Sequence, residues 1–435
     1  MFLCAFVPYW QKQITMNNLI IKNAAQVVTC SGFIGKRGKE MNDLHVIENG
    51  TVIVTDGIIS HVLKQGETIP VNEIDYNVIS AEGKALLPGF VDPHTHFVFG
   101  GYREEEFSWR MRGDSYMDIM NRGGGIVNTT RSTREASEDE LFAAGKQRLD
   151  AMMQLGITTV EGKSGYGLDK ETELKQLRVM RRLNNEHPMD IVSTFMGAHA
   201  TPAEWKGRED AFIDFNIHEV MPIVAQEKLA ECADIFCENN VFTIEQSRRY
   251  LTAARELGFK LKIHADEIVQ FGGAELAAEL KCLSADHLLQ ASDAGIRAMA
   301  DAGVVATLLP LTAFSLREEF ARARTMIENN CIVALATDLN PGSSFTASVP
   351  LLFALACIYM KMSPEEAVTA FTINSAAAID RADKIGSIDV GKQGDMVLLQ
   401  FPSYKFLPYH VGMNIVETVI KHGRVYQNLK LKTHN

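Results

Sequence analysis

The sequence lacks the features that would place it in a membrane, on nucleic acid or outside the cell. Its seven cysteines in 435 residues are odd in number, scattered, and form no C-x-x-C pair. A disulfide framework is not expected, and a reducing cytoplasm is the expected compartment. No uninterrupted apolar run approaches the roughly 20 residues that span a bilayer, so no membrane partner is expected. Basic runs are missing too, and the formal net charge is -11. Binding to a phosphate backbone needs clustered Lys and Arg, so nucleic acid is not an expected partner. No GxGxxG fingerprint opens a helix, and Gly123-Gly124-Gly125 has no following Lys-Ser/Thr. That triplet reads as a loop beside an active-site mouth rather than a phosphate cradle.

Apolar residues make up 46% and charged residues 22%, an ordinary soluble balance. At this length two structural units are expected. Met1 to Trp10 is apolar but has no basic flank and no convincing cleavage site, so it does not read as a secretory signal. Residues 1–15 read as an extension ahead of Met16. Residues 16–86 carry short β-branched runs, with Asn49-Gly50 and Asp56-Gly57 as hairpin-turn signals. The same texture returns over 381–435. A small β-sandwich-like domain built from both chain ends is therefore expected, flanking a catalytic unit over 87–380.

In that middle unit eight apolar strands alternate with amphipathic helical stretches: GFVDPHTH, GITTVEGKSGYG, DIVSTFMGAHA, DIFCE, LKIHADE, CLSADHL, VVATLLP and IVALATD. Eight βα units predict an α/β fold, a (β/α)₈ TIM barrel, whose chemistry sits at the C-terminal ends of the strands. The polar residues fall there. His94 and His96 end the first strand, His199 the third, His264 with Glu267 the fifth, His287 the sixth and Asp338 the eighth. His94 and His96 are two apart on an extended segment, so both imidazoles face the same side. His264 and Asp338 complete a three-nitrogen, one-oxygen set suited to one divalent metal, Zn²⁺ or Fe²⁺. Cys232 and Cys237 read as packing residues. Lys163 could bridge two metals only if carboxylated, and Glu238 occupies the strand end where that role usually falls, so a single ion is expected.

These residues resemble the amidohydrolase superfamily. The segments HTHFVFGGYREEEF, RGGGI, EGKSGYGL, MGAHATP, HADE and ATDLNPGS narrow the likeness to its histidine-degradation branch, over the chain from about Met16. The resemblance implies that a metal-activated water opens a five-membered cyclic amide bearing a propionate arm. It implies that His94, His96, His264 and Asp338 bind the metal. Glu267 would handle the attacking water and move protons, and His287 would act at the carbonyl. Arg103, Tyr116, Tyr166 and His199 would hold the ring and its arm. Asn340, Gly342 and Ser343 would line the pocket and contact the opened product. A homodimer is also implied. From chemistry alone, a protonated His287 could share the developing negative charge, and Arg103 could instead be an ion-pair partner of Glu104–Glu106. The rival readings are a cytosine- or guanine-type deaminase on the same barrel and a scaffold that has lost catalysis.

Overall fold

The computed structural model describes residues 17–114, 122 and 124–427. The extension over 1–15, Tyr116 and Gly123 lie outside the described residues. All eight barrel strands expected from the sequence form. They are β6 (Phe90–Asp92), β7 (Ile157–Lys163), β8 (Asp190–Ala198), β9 (Cys232–Cys237), β10 (Lys260–Ala265), β11 (Ser284–His287), β12 (Val305–Leu308) and β13 (Ile332–Leu335). They pair in parallel, in sequence order. The two ends of this sheet meet just beyond the strands. Asp338 N donates to His94 O at 3.1 Å and His96 N to Leu339 O at 2.9 Å. Asp92 accepts from Thr337 N at 3.0 Å and from Thr337 Oγ1 at 2.5 Å. Buried backbone groups must find partners, and here the first and eighth strands satisfy each other.

Several helices between the strands start where side chains cap them. Ser137 caps Glu138–Gln154 and makes a reciprocal pair with Glu140, and Asp169 accepts from Thr172 N to open Lys170–Glu186. Such caps satisfy otherwise orphaned amides. Both helices bury an apolar face in the main hydrophobic cluster, which continues through Phe90, Phe353 and Phe371. Gly156 precedes β7 at φ +93°, and a Cβ there would fall 2.8 Å from the Phe90 ring. Both the backbone and the packing require glycine.

The two chain ends build one mixed sheet. Its strands are β1 (Leu19–Val28), β2 (Val46–Thr55), β3 (Ile58–Leu63), β4 (Asn77–Ser80), β5 (Ala85–Pro88), β14 (Met396–Leu399), β15 (Val416–Lys421) and β16 (Arg424–Gln427). It has its own apolar cluster, including Leu19, Val52, Leu86, Met396 and Ile420. Asp56-Gly57 forms the β2–β3 hairpin turn as expected, with φ of 51° and 82°. Asn49-Gly50 does not turn the chain. It lies inside β2, with Asn49 at φ 50° and Gly50 buried where a Cβ would meet Val27. The dipeptide serves close packing against β1 instead. Among the described residues no helix is long and apolar enough to cross a membrane.

Lys421 joins the two units. Its buried ammonium lies 2.7 Å from Asp190 at the start of β8 and 2.7 Å from buried Asp395. Burial works against its charge, but Asp395 and Asp190 together hold its pKa above the usual lysine value. Lys421→Met would leave Asp395 buried without its cation. The expected loss is about 3–5 kcal/mol of stability, read as a lower urea midpoint; an unchanged midpoint would show that the pair does not join the units.

Candidate active site

The C-terminal end of the barrel gathers the histidines. The His94 ring lies 5.4 Å from that of His96, 4.5 Å from His264 and 5.3 Å from His287. Asp338 Oδ1 is 3.5 Å from His94 Nε2 and 3.9 Å from His96 Nε2. All five residues are at most 3% exposed, so each polar atom needs a partner.

Two carboxylates that sequence reasoning missed supply part of the answer. His94 Nδ1 meets Asp286 Oδ2 at 2.6 Å, and His264 Nδ1 lies 3.1 Å from both oxygens of Asp234. The opposite nitrogens, Nε2 of His94 and of His264, are buried without a hydrogen-bond partner. A ligating imidazole commonly donates its second N–H to a carboxylate, which fixes its tautomer and aim. Ligand atoms of His94, His96 and His264 come within 4.8 Å of one another, as do those of His94, His287 and Asp338. Burial, aided by the charge of Lys163 and by neighbouring imidazoles, pushes His94, His96 and His264 well below the usual histidine pKa. The rings are therefore neutral, the form that binds metal. This donor set fits a divalent cation.

A third group, Asp234, His264 and Asp286, has similar spacing, but a lysine already occupies it. The Lys163 ammonium lies 2.7 Å from Asp234, 3.0 Å from Glu161 and 3.3 Å from Asp286. Lys262 follows at 3.2 Å from Glu161. All five of these side chains are fully buried. Burial opposes the charge of Lys163, yet Asp234, Glu161 and Asp286 hold its pKa above the usual value. Lys163 is thus an ion-pair partner here. The missed residues carried a signal: Glu161 with Lys163, and Lys262 with His264, are two apart in apolar strands and so share a face.

Glu267 Oε1 lies 3.4 Å from His287 Nδ1. Burial, with Asp338, Glu238 and Glu318 adding to it, raises the Glu267 carboxyl to about 8. Burial lowers His287 to about 4. Burial thus favours the neutral ring of His287 over the protonated one expected from sequence. His287 and Asp338 also take φ of 76° and 51°. Left-handed backbone at non-glycine residues is costly and concentrates at functional sites.

The remaining expected residues surround this cluster. His199 stacks on His96 at 5.0 Å and shares a 3.0 Å hydrogen bond through Nδ1 with Gly165 O. The Tyr166 ring is 5.5 Å from His96 and 5.3 Å from His199. Asn340 is engaged by its own loop, donating to Asp338 O and Ser343 Oγ and accepting from the amides of Gly342 and Ser343. Arg103, Gly342 and Ser343 line a cavity of about 440 Å³ with Tyr102, Phe107 and Arg110. A Cβ at Gly342 would fall 2.1 Å from Arg103 Nη1, so a larger residue there would displace the end of the Arg103 side chain. Arg103 also forms the ion pair considered from sequence, with Nε and Nη2 each 2.8 Å from Glu106 Oε2.

Parallel β/α strands closed into a barrel, with imidazoles and a carboxylate at their C-terminal ends, define a class of hydrolase. The profile described as Amidohydrolase family matches residues 117–427, and the chain belongs to that family. Solved structures share the fold. An adenosine deaminase from Xanthomonas campestris with bound zinc is 18% identical at a TM-score of 0.68, covering 94% of this chain and 92% of that one. A triazine hydrolase variant is 14% identical at 0.72, covering 94% of each. Sequence relatives are far nearer. A protein of Clostridium tetani is 65% identical over 94% of this chain and 98% of its own length, and one of Parabacteroides distasonis is 64% identical over 94% and 99%. Both are imidazolonepropionases, and within the amidohydrolases the chain falls in that group.

The carboxylates behind the histidines offer a direct check. Asp234→Asn and Asp286→Asn should each weaken metal affinity by about 10–100-fold, measured by competition with a chromophoric chelator. Affinities equal to that of the unmodified protein would remove Asp234 and Asp286 from the metal site.

Proposed function

We infer that the chain hydrolyses the cyclic amide of 4-imidazolone-5-propanoate to N-formimidoyl-L-glutamate, a step of histidine degradation. Its full-length relatives of that name support the reading. The observation that carries the chemistry is the pair of buried, unpartnered Nε2 atoms of His94 and His264, facing Asp338 and His96. We propose one divalent ion per chain, Zn²⁺ or Fe²⁺, held by His94, His96, His264 and Asp338. When bound, it supplies Lewis acidity that lowers the pKa of water and polarises the amide carbonyl.

The chain's own groups do the rest. Glu267, 3.4 Å from His287, can take a proton from the attacking water and return one to the ring nitrogen. Neutral His287 offers a ring N–H to the amide oxygen as charge develops there. Tyr166 and His199 flank the ring, and Arg103 faces the propionate arm; Tyr116 joins them on the resemblance alone. Gly342 and Ser343 meet the opened product on a loop that Asn340 holds in shape. A deaminase of a neutral base has no use for two arginines in the cavity. The six described cysteines are all free, in keeping with the cytoplasm, and a homodimer rests on the family resemblance.

The test is turnover of imidazolonepropionate, followed as loss of ring absorbance and appearance of N-formimidoylglutamate. Stripping the metal should abolish it, as should His264→Ala or Asp338→Ala with the fold retained. Metal-replete protein that forms no product would overturn the reading. Glu267→Gln keeps size but cannot shuttle a proton, so kcat should fall about 10²–10⁴-fold with KM little changed and the metal retained. A fall confined to KM would move Glu267 from proton transfer to substrate binding.

A further inference from the structure

Glu173 is 1% exposed, and among the described residues it forms no ion pair. Every partner it has is a donor. Oε1 accepts from the amides of Gly165 at 3.2 Å, Gly167 at 2.8 Å and Leu168 at 2.9 Å, and Oε2 from that of Gly165 at 3.0 Å. The Ser164 hydroxyl bonds it as well; burial raises the pKa of the carboxyl, and Ser164 and the three amides oppose that rise. A buried carboxylate is tolerable where such donors replace the lost water. The loop is bent to supply them. Gly165 and Leu168 stand at φ of 104° and 53°, and a Cβ at Gly167 would fall 2.7 Å from Glu173 N. Helix Lys170–Glu186 thus carries, in its first turn, the ion around which residues 164–168 fold.

The bent loop bears on two residues of the pocket. Gly165, bonded through its amide to both Glu173 oxygens, turns its carbonyl to His199 Nδ1 at 3.0 Å. A carbonyl oxygen only accepts, so Nδ1 carries the proton, and in the neutral ring Nε2 is left as an acceptor. Gly165 packs directly on the chain that leads to His199: a Cβ there would fall 2.9 Å from Met196 O and 3.0 Å from His199 Nδ1. Tyr166 N donates to Gln176 Oε1 at 3.2 Å, and Gln176 Nε2 to Val98 O at 2.7 Å, which ties the loop to the segment after His96. We propose that Glu173 is a positioning residue of the active site: it folds the 164–168 loop, and through the Gly165 carbonyl it fixes the Nδ1–H tautomer of His199, so that Nε2 meets the substrate as a hydrogen-bond acceptor. The inference rests on the reading of His199 as a residue flanking the substrate ring. Presented this way, His199 favours an N–H of the ring, whereas the other tautomer would set donor against donor.

The experiment uses the full-length, zinc-loaded protein labelled with ¹⁵N at histidine. Two-bond ¹⁵N–¹H correlation spectra report which nitrogen of each ring is protonated, and His199→Gln identifies the His199 signals. The unmodified protein should show a protonated Nδ1 and a bare Nε2 at His199. Glu173→Gln keeps the size but leaves one acceptor oxygen for the loop and sets an NH₂ against its remaining donors. The His199 signals should then move to the Nε2–H pattern with zinc content unchanged. In turnover of imidazolonepropionate kcat/KM should fall about 10–100-fold, the scale on which a displacement of about 1 Å in a positioning group acts. Glu173→Asp, which keeps the charge one methylene short, should show both tautomers and a smaller loss, and it takes the same two readings if Glu173→Gln does not fold. Gln176→Leu frees Tyr166 N and should leave the His199 tautomer as it is. A folded, zinc-loaded Glu173 variant with the tautomer unchanged, or with kcat/KM unchanged, would overturn the assignment. So would an Nε2–H tautomer in the unmodified protein. A tautomer that depends on Glu173, in a protein that forms no product, would sink the function and leave the hold of Glu173 on His199 standing.

Discussion

The arrangement depends on a buried set of charges below the histidines. Glu161, Asp234 and Asp286 are fully buried carboxylates that would be intolerable alone, and Lys163 and Lys262 make them tolerable. Desolvation of isolated charges costs several kcal/mol each, so removing Lys163 would take the nearest cation from all three carboxylates. Asp234 and Asp286 then turn their remaining capacity upward, to Nδ1 of His264 and His94. Stability and aim are thus linked through the same oxygen atoms.

The barrel geometry makes this layering possible. Side chains two apart on a parallel strand stand one above the other inside the barrel. Lys262 beneath His264 and Glu161 beside Lys163 follow from that spacing. His287 follows Asp286 directly and would alternate to the other face, yet it lies 5.0 Å from the His264 ring. Its left-handed backbone, φ 76°, accompanies this departure from alternation.

Much of this was legible in the sequence, for a physical reason. The barrel strands are short runs buried on both faces over most of their length, so their boundaries show, and ligand-type residues at their C-terminal ends stand out. Three things were not legible. The partners of the histidines, Asp234 and Asp286, belong to neighbouring strands, and nothing local to His94 or His264 names them. The state of His287 depends on how dry its pocket is, which no motif reports. Asn49-Gly50 has a turn's composition, but Val27 of β1 packs against it and holds the dipeptide within a strand.

The backbone hydrogen bonds between Asp338 and His94, and between His96 and Leu339, are where the first strand meets the last. Three of the four groups assigned to the metal are borne by the segments these bonds join. A cation held there would act as a clasp across the seam of the cylinder, linking residues more than 240 positions apart in the chain. A ligand that binds only the closed form stabilises it by mass action. Loading the site and keeping the barrel shut are on this geometry one event, and the earliest sign of metal loss would be faster amide exchange along that seam, ahead of any change in the sheet built from the chain ends.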